Sequence, residues 1–289
     1  MPNTIIEIRN QLTVELLPVY GESEAGQMIK MLFEHFCGIS GASMVLRKNE
    51  YLSQEQYSKL IEAISALKVH VPIQYVIGSA WFADLRFEVN PSVLIPRPET
   101  EELVDCIVKD YGHSLADVAF KVLDIGTGSG CIAVALKKSM PGWVVSACDF
   151  SAEALLVALR NAEMAGTGID FFKTDILHWK EWPDAGSYNL IVSNPPYVCE
   201  HEKEQMQPNV LEHEPPTALY VPDEDPLVFY RAIADFASSR LVKNGKLYLE
   251  INENYGQEII HLLGSSGFVD AELRKDFKGK DRFAIACKV

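Results

Sequence analysis

The sequence of 289 residues contains no apolar run approaching the roughly 18 residues that a membrane-spanning helix needs. Its first residues, "MPNTIIEIRNQ", place Glu7 and Arg9 among apolar neighbours, so they lack the hydrophobic segment of a secretory signal. We therefore expect a cytoplasmic protein without a membrane partner. Hydrophobic residues make up 48% and charged residues 23%, which is typical of a globular protein. The length allows one large domain and a smaller one.

Patterns of metal-ligating residues are also missing. Six cysteines are scattered without a C-x-x-C pair, which argues against a zinc knuckle or a disulfide framework and predicts reduced, mostly buried thiols. No H-E-x-x-H motif is present. A polar stretch late in the chain carries two histidines and four glutamates without ligand spacing: His201, His213, Glu200, Glu202, Glu212 and Glu214. We interpret these as solvated loop charges and expect no metal site.

Positive charge is scarce, since 26 Lys and Arg residues face 40 Asp and Glu residues and leave a net charge of −14. A protein that holds a long phosphate backbone normally presents a basic face. The charge balance therefore argues against nucleic acid as the main substrate. No internal repeat or low-complexity stretch is present. The sequence also lacks a long apolar stripe of the kind that forms a dimer interface, so we expect a monomer.

Residues 1–70 predict a small helical domain. Apolar residues recur at three- and four-residue spacing in "GQMIKMLFEHF" and "YSKLIEAISAL", and Ser53 with Gln56 forms a capping box that starts a helix. Nothing in this region looks catalytic, so we expect it to recognise a substrate. Residues 71–93 alternate in polarity and predict a β-hairpin linker, with Gly78 and Ser79 in its turn region.

Residues 94–289 alternate between strands and helices. Seven strands are predicted, in the order "KVLDIG", "WVVSACD", "IDFFKTD", "YNLIVSN", "GKLYLEI", "FVDAELRKD" and "RFAIACKV". This alternation predicts an α/β, Rossmann-like fold with a mostly parallel sheet and helices on both faces. Only a loop separates the last two strands, so we expect that pair to be antiparallel. Ligands of such sheets bind beyond the carboxyl ends of the strands.

The first of these strands ends in "LDIGTGSGCIAVAL", where Gly126, Gly128 and Gly130 predict a tight loop that opens a helix. Dinucleotide binding is the competing interpretation. Its G-x-G-x-x-G fingerprint fails here because Cys131 occupies the place of the third glycine. Asp124 would also repel a pyrophosphate, whereas its carboxylate suits a ligand that carries an ammonium and a sulfonium. The pattern therefore favours S-adenosylmethionine.

The next two strands also end in acidic residues. Asp149 lies about 20 residues beyond the glycines, where an acid can reach the ribose hydroxyls of a nucleoside. Phe150 can pack on the adenine, Asp175 can accept from the adenine amino group, and Ile176 can line the same pocket. Any one acid could instead be a helix N-cap or a solvated loop residue. Three acids at three successive strand ends favour a cofactor site.

The fourth strand ends in "SNPPYV", and residues 194–197 form what we call the NPPY corner. The Asn194 side-chain oxygen and the Pro195 carbonyl can each accept one N–H of an incoming amide or aromatic amine. Both bonds favour the pyramidal nitrogen of a methyl-transfer transition state. Pro195 and Pro196 fix the turn, and Tyr197 can hold a planar group by its face. The competing interpretation is a plain loop breaker.

With these motifs in view, the chain resembles the HemK/PrmC family, the glutamine methyltransferases of peptide chain release factors. The resemblance spans nearly the whole length and includes "PIQYVIG", "LIPRPETEE", "LDIGTGSG", "SNPPYV", "HEPPTALY" and "GKDRFAI". It implies a class I S-adenosylmethionine-dependent methyltransferase domain, with S-adenosylhomocysteine as product. The implied acceptor is the glutamine amide of the Gly-Gly-Gln motif in class I release factors.

The resemblance also implies roles for particular residues. The loop from Gly126 through Thr127, Gly128 and Ser129 to Gly130, together with Asp149 and Asn194, would bind the cofactor, and the NPPY corner would hold the glutamine. Arg97 and Glu99 lie in a proline-braced loop and are candidates either for a wall of the substrate site or for a structural ion pair. The residues do not decide between these two roles.

Two alternative functions stay open at this point. The NPPY corner is shared with nucleic-acid base methyltransferases, which would act on adenine N6 or guanine N2. A protein of another class could keep the cofactor pocket for binding alone, without turnover.

Overall fold

The computed structural model describes residues 4–112, 119–182 and 186–289. The chain divides into two units, the first formed by the described residues up to Gly78 with Gln207–His213, the second by Ser79–Met206 and Glu214–Val289. Within the described ranges, no helix is both long and apolar enough to cross a lipid bilayer.

The first unit is helical. Its helices are α1 (Ile5–Leu16), α2 (Glu22–Cys37), α3 (Gly41–Leu46), α4 (Gln54–Lys68) and α5 (Ile73–Ile77). The predicted capping box at the start of α4 is confirmed, because the Gln56 N–H donates to the Ser53 hydroxyl at 3.1 Å and Gln56 Oε1 accepts from the Ser53 N–H at 3.0 Å. Side chains such as Leu12, Leu32 and Phe33 are fully buried in the core of this unit.

A β-hairpin opens the second unit, formed by β1 (Ser79–Phe82) and β2 (Leu85–Glu88) in antiparallel pairing. The predicted turn at Gly78 and Ser79 is wrong, because Gly78 ends α5 with φ 68° and Ser79 already belongs to β1. Ala83 and Asp84 make the turn, with φ values of 48° and 59°. Left-handed conformations at both central residues match the twist of the flanking strands.

The rest of the chain contains the large sheet of the second unit with its helices, and one short helix of the first unit. In chain order, the further elements are α6 (Pro98–Tyr111), β3 (Lys121–Ile125), α7 (Cys131–Ser139), β4 (Val144–Asp149), α8 (Ala152–Ala165), β5 (Asp170–Lys173), β6 (Tyr188–Ser193), β7 (Val198–Cys199), α9 (Pro208–His213, within the first unit), β8 (Tyr220–Val221), α10 (Val228–Arg240), β9 (Leu241–Glu250), α11 (Gly256–Ser265), β10 (Phe268–Lys275) and β11 (Asp281–Lys288). Short 3-10 turns cover Ile176–Glu181, Glu200–Gln205, Pro216–Ala218 and Glu253–Tyr255.

Seven strands of the described chain form one sheet in the order β10-β11-β9-β6-β3-β4-β5. Strands β9, β6, β3, β4 and β5 run parallel to one another, whereas β11 is antiparallel to both β9 and β10. The predicted mostly parallel sheet with an antiparallel final pair is therefore confirmed. After β3, the strands β4 and β5 are added on one side of β3, and β6 is then added on the other side of β3. The strand order therefore switches direction at β3.

The sheet is covered on both faces, as predicted. Val122 and Leu190 point into a core that includes residues of α6 and α7, whereas their neighbours Leu123 and Ile191 point into a core that includes residues of α10 and α11. Successive strand residues face opposite sides of a sheet, so these continuous apolar strands need helices on both faces.

Candidate active site

A cavity of about 580 Å³ opens at the carboxyl ends of β3, β4, β5 and β6. Its volume falls within the range of small-molecule sites. Twelve predicted site residues lie on its wall: Arg97, Gly126, Thr127, Gly128, Ser129, Asp149, Phe150, Asp175, Ile176, Asn194, Pro195 and Pro196. Four others, Asp124, Glu99, Gly130 and Tyr197, are not part of the wall that the described residues form.

The glycine loop joins β3 to α7. Gly126 and Gly128 lie on the cavity wall and have φ values of 72° and 55°. Gly130, with φ 81°, faces α8 instead, and a Cβ atom added there would lie 3.0 Å from the Ala158 Cβ. The first two glycines thus leave backbone open to a ligand, while the third allows α7 and α8 to approach each other.

We expect Gly130→Ala to lower the free energy of unfolding by about 1–3 kcal/mol, because the added methyl group overpacks against Ala158 and the backbone conformation is strained. Gly168→Ala is the matched control, since no heavy atom lies within 4 Å of the added Cβ atom. Urea denaturation of both variants measures the difference. Equal stability of the two variants would contradict this account of the loop.

Asp124 lies beneath the glycine loop and is fully buried. Its Oδ2 accepts from the Thr127 hydroxyl at 2.6 Å, whereas no donor of the described chain reaches Oδ1 with hydrogen-bond geometry. Burial raises the pKa of Asp124 to about 7, against the opposing effects of the Thr127 hydroxyl and the Ala133 N–H, while the nearby Asp149 raises it further. An incompletely satisfied buried carboxylate would be stabilised by a nearby cation.

The raised pKa of Asp124 predicts a pH-dependent stability difference. In the unfolded chain, an Asp titrates near about pH 3.9, so between about pH 4 and about pH 7 the unfolded state releases a proton that the folded state keeps. Stability from this group is therefore lost as pH rises. The free energy of unfolding of Asp124→Asn, taken relative to that of the wild type, should therefore be larger at about pH 8 than at about pH 5. Denaturation at both pH values measures this gain, with the exposed Asp235→Asn as control; a pH-independent difference would contradict it.

Asp149 ends β4 and is only 7% exposed. Its Oδ2 accepts from the Gly128 N–H and its Oδ1 from the Ser151 N–H, each at 2.9 Å, so the carboxylate joins the glycine loop to the start of α8. Burial raises the pKa of Asp149, while the N–H groups of Ser151, Gly128 and Phe150 act to lower it. Each oxygen retains a lone pair that can accept from a ribose hydroxyl.

The remaining cofactor candidates occupy the ends of β4 and β5. Phe150 is 49% exposed on the cavity wall, so its ring is available to an adenine. Asp175 caps the 3-10 turn that follows it, because its Oδ1 accepts from the Leu177 N–H at 2.9 Å and its Oδ2 lies 3.1 Å from His178 Nδ1. Asp175 therefore has the helix-capping role that competed with cofactor binding, while Asp175 and Ile176 both line the cavity.

The NPPY corner follows β6. The Tyr197 and Val198 N–H groups donate to the Leu219 carbonyl at 3.2 and 2.9 Å, which holds the far end of the corner. Asn194 Nδ2 donates to the Thr100 hydroxyl at 3.2 Å. Within the described chain, nothing donates to Asn194 Oδ1 or to the Pro195 carbonyl, and both residues lie on the cavity wall. The corner therefore offers two hydrogen-bond acceptors to a ligand.

The Tyr197 hydroxyl donates to Glu250 Oε1 at 3.1 Å, which fixes the position of the ring. The face-on contact of this ring with a planar group stays a prediction. The sequence analysis did not single out Thr100 and Glu250, whose hydrogen bonds link them to Asn194 and Tyr197. Burial raises the pKa of Glu250, while the Thr100 and Tyr197 hydroxyls and the Arg282 guanidinium favour its ionised form. The sequence signal for Glu250 was a glutamate that directly follows the short run "LYL" at the end of β9.

Arg97 forms a structural ion pair, one of the two roles considered for it, and its role in a substrate site stays a prediction. It lies on the cavity wall, and its guanidinium donates to Glu214 Oε1 at 2.6 Å. The prediction that Glu214 is a solvated loop charge is wrong, since its side chain is fully buried and its other oxygen accepts from the Ile95 N–H at 3.2 Å.

Glu99 forms an ion pair with the Lys278 ammonium at 2.7 Å. Burial acts to raise the pKa of Glu99, but Lys278 and further contacts outweigh it and hold this pKa below its usual value.

One group of potential metal ligands occurs among the described residues, formed by Cys199, His201 and Asp223 with ligand atoms within 4.8 Å of one another. His201 Nδ1 lies 2.8 Å from Asp223 Oδ1, so the two form an ion pair when the imidazole is protonated. Cys199 Sγ lies 3.4 Å from the Tyr255 hydroxyl. These contacts account for the three side chains without an ion, and the absence of a metal site stays a prediction.

Two parts of the chain match models of known protein families. Residues 100–220 match the model of the methyltransferase small domain, and residues 9–78 match that of the PrmC N-terminal domain. The chain superposes on a 16S rRNA N2 G1207 methyltransferase of Thermus thermophilus, solved with AdoMet and guanosine, with a TM-score of 0.54 at 18% identity over 73% of this chain and 50% of that one. At this identity the likeness shows the fold alone.

Two curated relatives are much closer in sequence. The release factor glutamine methyltransferase of Bacteroides thetaiotaomicron is 42% identical over 94% of this chain and 95% of its own length. That of Flavobacterium psychrophilum is 40% identical, with 95% of each chain covered. Identity at this level over nearly the full length confirms the resemblance drawn from the motifs: the chain belongs to the release factor glutamine methyltransferase family.

Proposed function

We propose that this protein transfers a methyl group from S-adenosylmethionine to the side-chain amide nitrogen of the glutamine in the Gly-Gly-Gln motif of class I release factors. The observation that carries the proposal is the pair of free acceptors at the NPPY corner, Asn194 Oδ1 and the Pro195 carbonyl, on the wall of one cavity with the glycine loop. The names of the curated relatives support the choice of acceptor.

The described residues fit a cationic nucleoside as methyl donor. Asp124 brings a buried carboxylate oxygen without a donor close to the glycine loop, and Asp149 keeps lone pairs for a diol. Phe150 offers a half-exposed ring on the cavity wall, and Gly126 and Gly128 leave backbone uncovered. When bound, S-adenosylmethionine supplies a methyl group activated by its positively charged sulfur.

The NPPY corner acts on the acceptor nitrogen. The lone pair of an amide nitrogen is delocalised, and the nitrogen must become pyramidal before it can form a new bond. Asn194 Oδ1 and the Pro195 carbonyl can accept its two N–H groups, and both bonds strengthen as positive charge develops there. One such preorganised hydrogen bond is worth about 2.7–4 kcal/mol in comparable sites. The methylated nitrogen is acidic enough to release its proton to water, so no strong general base is required.

The partner and the setting of the reaction remain predictions. The match of residues 9–78 to the PrmC N-terminal domain supports a substrate-recognition role for the helical unit. A monomeric enzyme in the cytoplasm is the arrangement we expect for a protein substrate of this kind.

A methylation assay that offers three acceptors separates the proposal from its alternatives. Purified protein and labelled S-adenosylmethionine are incubated with a class I release factor, duplex DNA or rRNA. We expect label in the release factor alone, because the net charge of −14 disfavours a polyanionic substrate. Label only in nucleic acid would overturn the proposal in favour of a base methyltransferase. Binding of the cofactor without label in any acceptor would indicate a binding protein.

A further inference from the structure

Glu250 is an unusual residue for its place. It ends β9, next to the end of β6, since Leu249 pairs with Ser193, the last residue of β6, and Asn194 follows Ser193. Its side chain is fully within the protein, with 1% of the residue exposed. A buried carboxylate is costly unless hydrogen bonds satisfy it. Here Oε2 accepts from the Thr100 hydroxyl at 2.7 Å and Oε1 accepts from the Tyr197 hydroxyl at 3.1 Å.

The direction of these bonds determines which atom of Asn194 faces Thr100. The Thr100 hydroxyl donates its single hydrogen to Glu250 Oε2. The Thr100 oxygen can then only accept from its next neighbour. Asn194 Nδ2 lies 3.2 Å away and supplies that hydrogen. With the amide turned the other way, two acceptors would oppose each other at this distance.

We propose that Thr100, held by Glu250, is a positioning residue that fixes the Asn194 amide with its oxygen toward the acceptor nitrogen. This inference rests on the proposed function and adds the source of the orientation. Thr100 itself is 2% exposed in the first turn of α6, which Pro98 opens, so its own position is fixed by the helix.

The same carboxylate holds the other end of the NPPY corner through Tyr197. Asn252, just beyond β9, adds a third connection, because its Nδ2 donates to the Tyr197 carbonyl at 3.1 Å. The end of β9 thus fixes both Asn194 and Tyr197 before any ligand arrives. Preorganised acceptors need no reorientation during the reaction, which is where their catalytic benefit arises.

Loss of the Thr100 hydroxyl removes the only group that distinguishes the two orientations of the Asn194 amide in the described contacts. In the reversed orientation, an NH₂ group would face the N–H of the acceptor, and one of the two transition-state hydrogen bonds would be lost. We expect a lower kcat with little change in cofactor affinity, because no hydrogen bond among the described residues joins Thr100 or Glu250 to the glycine loop or to Asp149.

The test compares Thr100→Val, which keeps the shape and removes the hydroxyl, with Thr100→Ser, which keeps the hydroxyl. We expect Val to lower kcat about 10-fold or more and Ser to stay within about threefold of wild type. KM for the release factor and Kd for S-adenosylhomocysteine should change less than about twofold in both. Wild-type kcat in the Val variant, or an equal loss in the Ser variant, would overturn the proposal. Glu250→Gln is less informative, since a glutamine oxygen can still accept from Thr100.

A second readout does not depend on turnover. The side-chain amide signals of Asn194 are assigned by NMR as the pair that disappears in Asn194→Asp. We expect a hydrogen-bonded proton shift in wild type and Thr100→Ser and its loss in Thr100→Val. Unchanged signals in Thr100→Val would overturn the positioning role whatever the substrate. If wild type methylates no release factor while the signals change as expected, the proposed function fails and the positioning role stands.

Discussion

Replacing Asn194 by alanine is expected to lower kcat for release-factor methylation by about 10²-fold, close to 3 kcal/mol in activation free energy. The change removes one of the two free acceptors on the cavity wall and leaves the Pro195 carbonyl in place. Because the bond to Asn194 Oδ1 strengthens as the nitrogen becomes pyramidal, its loss should appear in kcat more than in substrate affinity. Steady-state kinetics with saturating cofactor measures the effect.

Asn189→Ala is the matched control for this experiment. Asn189 lies on β6, the strand that precedes Asn194, but away from the cavity wall, and its Oδ1 accepts from the Lys121 N–H at 2.8 Å. The control should lose some stability and retain kcat within about twofold. Wild-type turnover in Asn194→Ala would show that this side chain does not act on the acceptor nitrogen. Equal losses in both variants would point to a general effect on folding.

Replacing Asp149 by asparagine is expected to weaken the binding of S-adenosylhomocysteine by about 10- to 100-fold, the range for losing a hydrogen bond to a buried charge. Asp149 accepts from two backbone N–H groups, on Gly128 and Ser151. An asparagine can accept with its oxygen only, so its NH₂ group would oppose one of these donors. The variant therefore loses both the charge offered to the ribose and the support of the glycine loop.

Asp175→Asn provides the comparison for Asp149. The Asp175 side chain is 42% exposed and already caps a 3-10 turn, so its loss should weaken binding less than about fivefold. Isothermal titration calorimetry gives both dissociation constants, and thermal unfolding checks that each variant is folded. If Asp175→Asn lost more affinity than Asp149→Asn, the assignment of the two carboxylates would be wrong.

Local patterns predicted the fold well. The apolar runs around Leu123 and Ile191 required a buried parallel sheet, and the short loop before "RFAIACKV" required an antiparallel end. The hairpin turn at Ala83 and Asp84 could not be predicted in this way, because the usual two-residue patterns place glycine second and Asn, Asp or Gly first, whereas here Ala83 comes first and Asp84 second. The observed conformation is set by the pairing of the two strands.

Local sequence located the candidate residues that follow from the end of a strand, since Asp149 and Asn194 both lie on the cavity wall. It did not reveal pairs of residues that meet only in the fold. Thr100 and Glu250 are 150 positions apart in sequence. Arg97 and Glu214 are 117 positions apart, and this long-range pairing is what allows Glu214 to be buried. The sequence analysis predicted a solvent-exposed Glu214 from its charge and its polar neighbours, and these carry no information on a partner so far away in the sequence.

The most direct test of the account is to map the methyl group on its acceptor. The protein is incubated with labelled S-adenosylmethionine and a class I release factor, and the product is digested and sequenced by mass spectrometry. A release factor whose Gly-Gly-Gln glutamine is replaced by glutamate is the matched control substrate. The account predicts a single methyl group on the glutamine side-chain nitrogen and none in the control. A methyl group elsewhere, or equal labelling of the control, would contradict it.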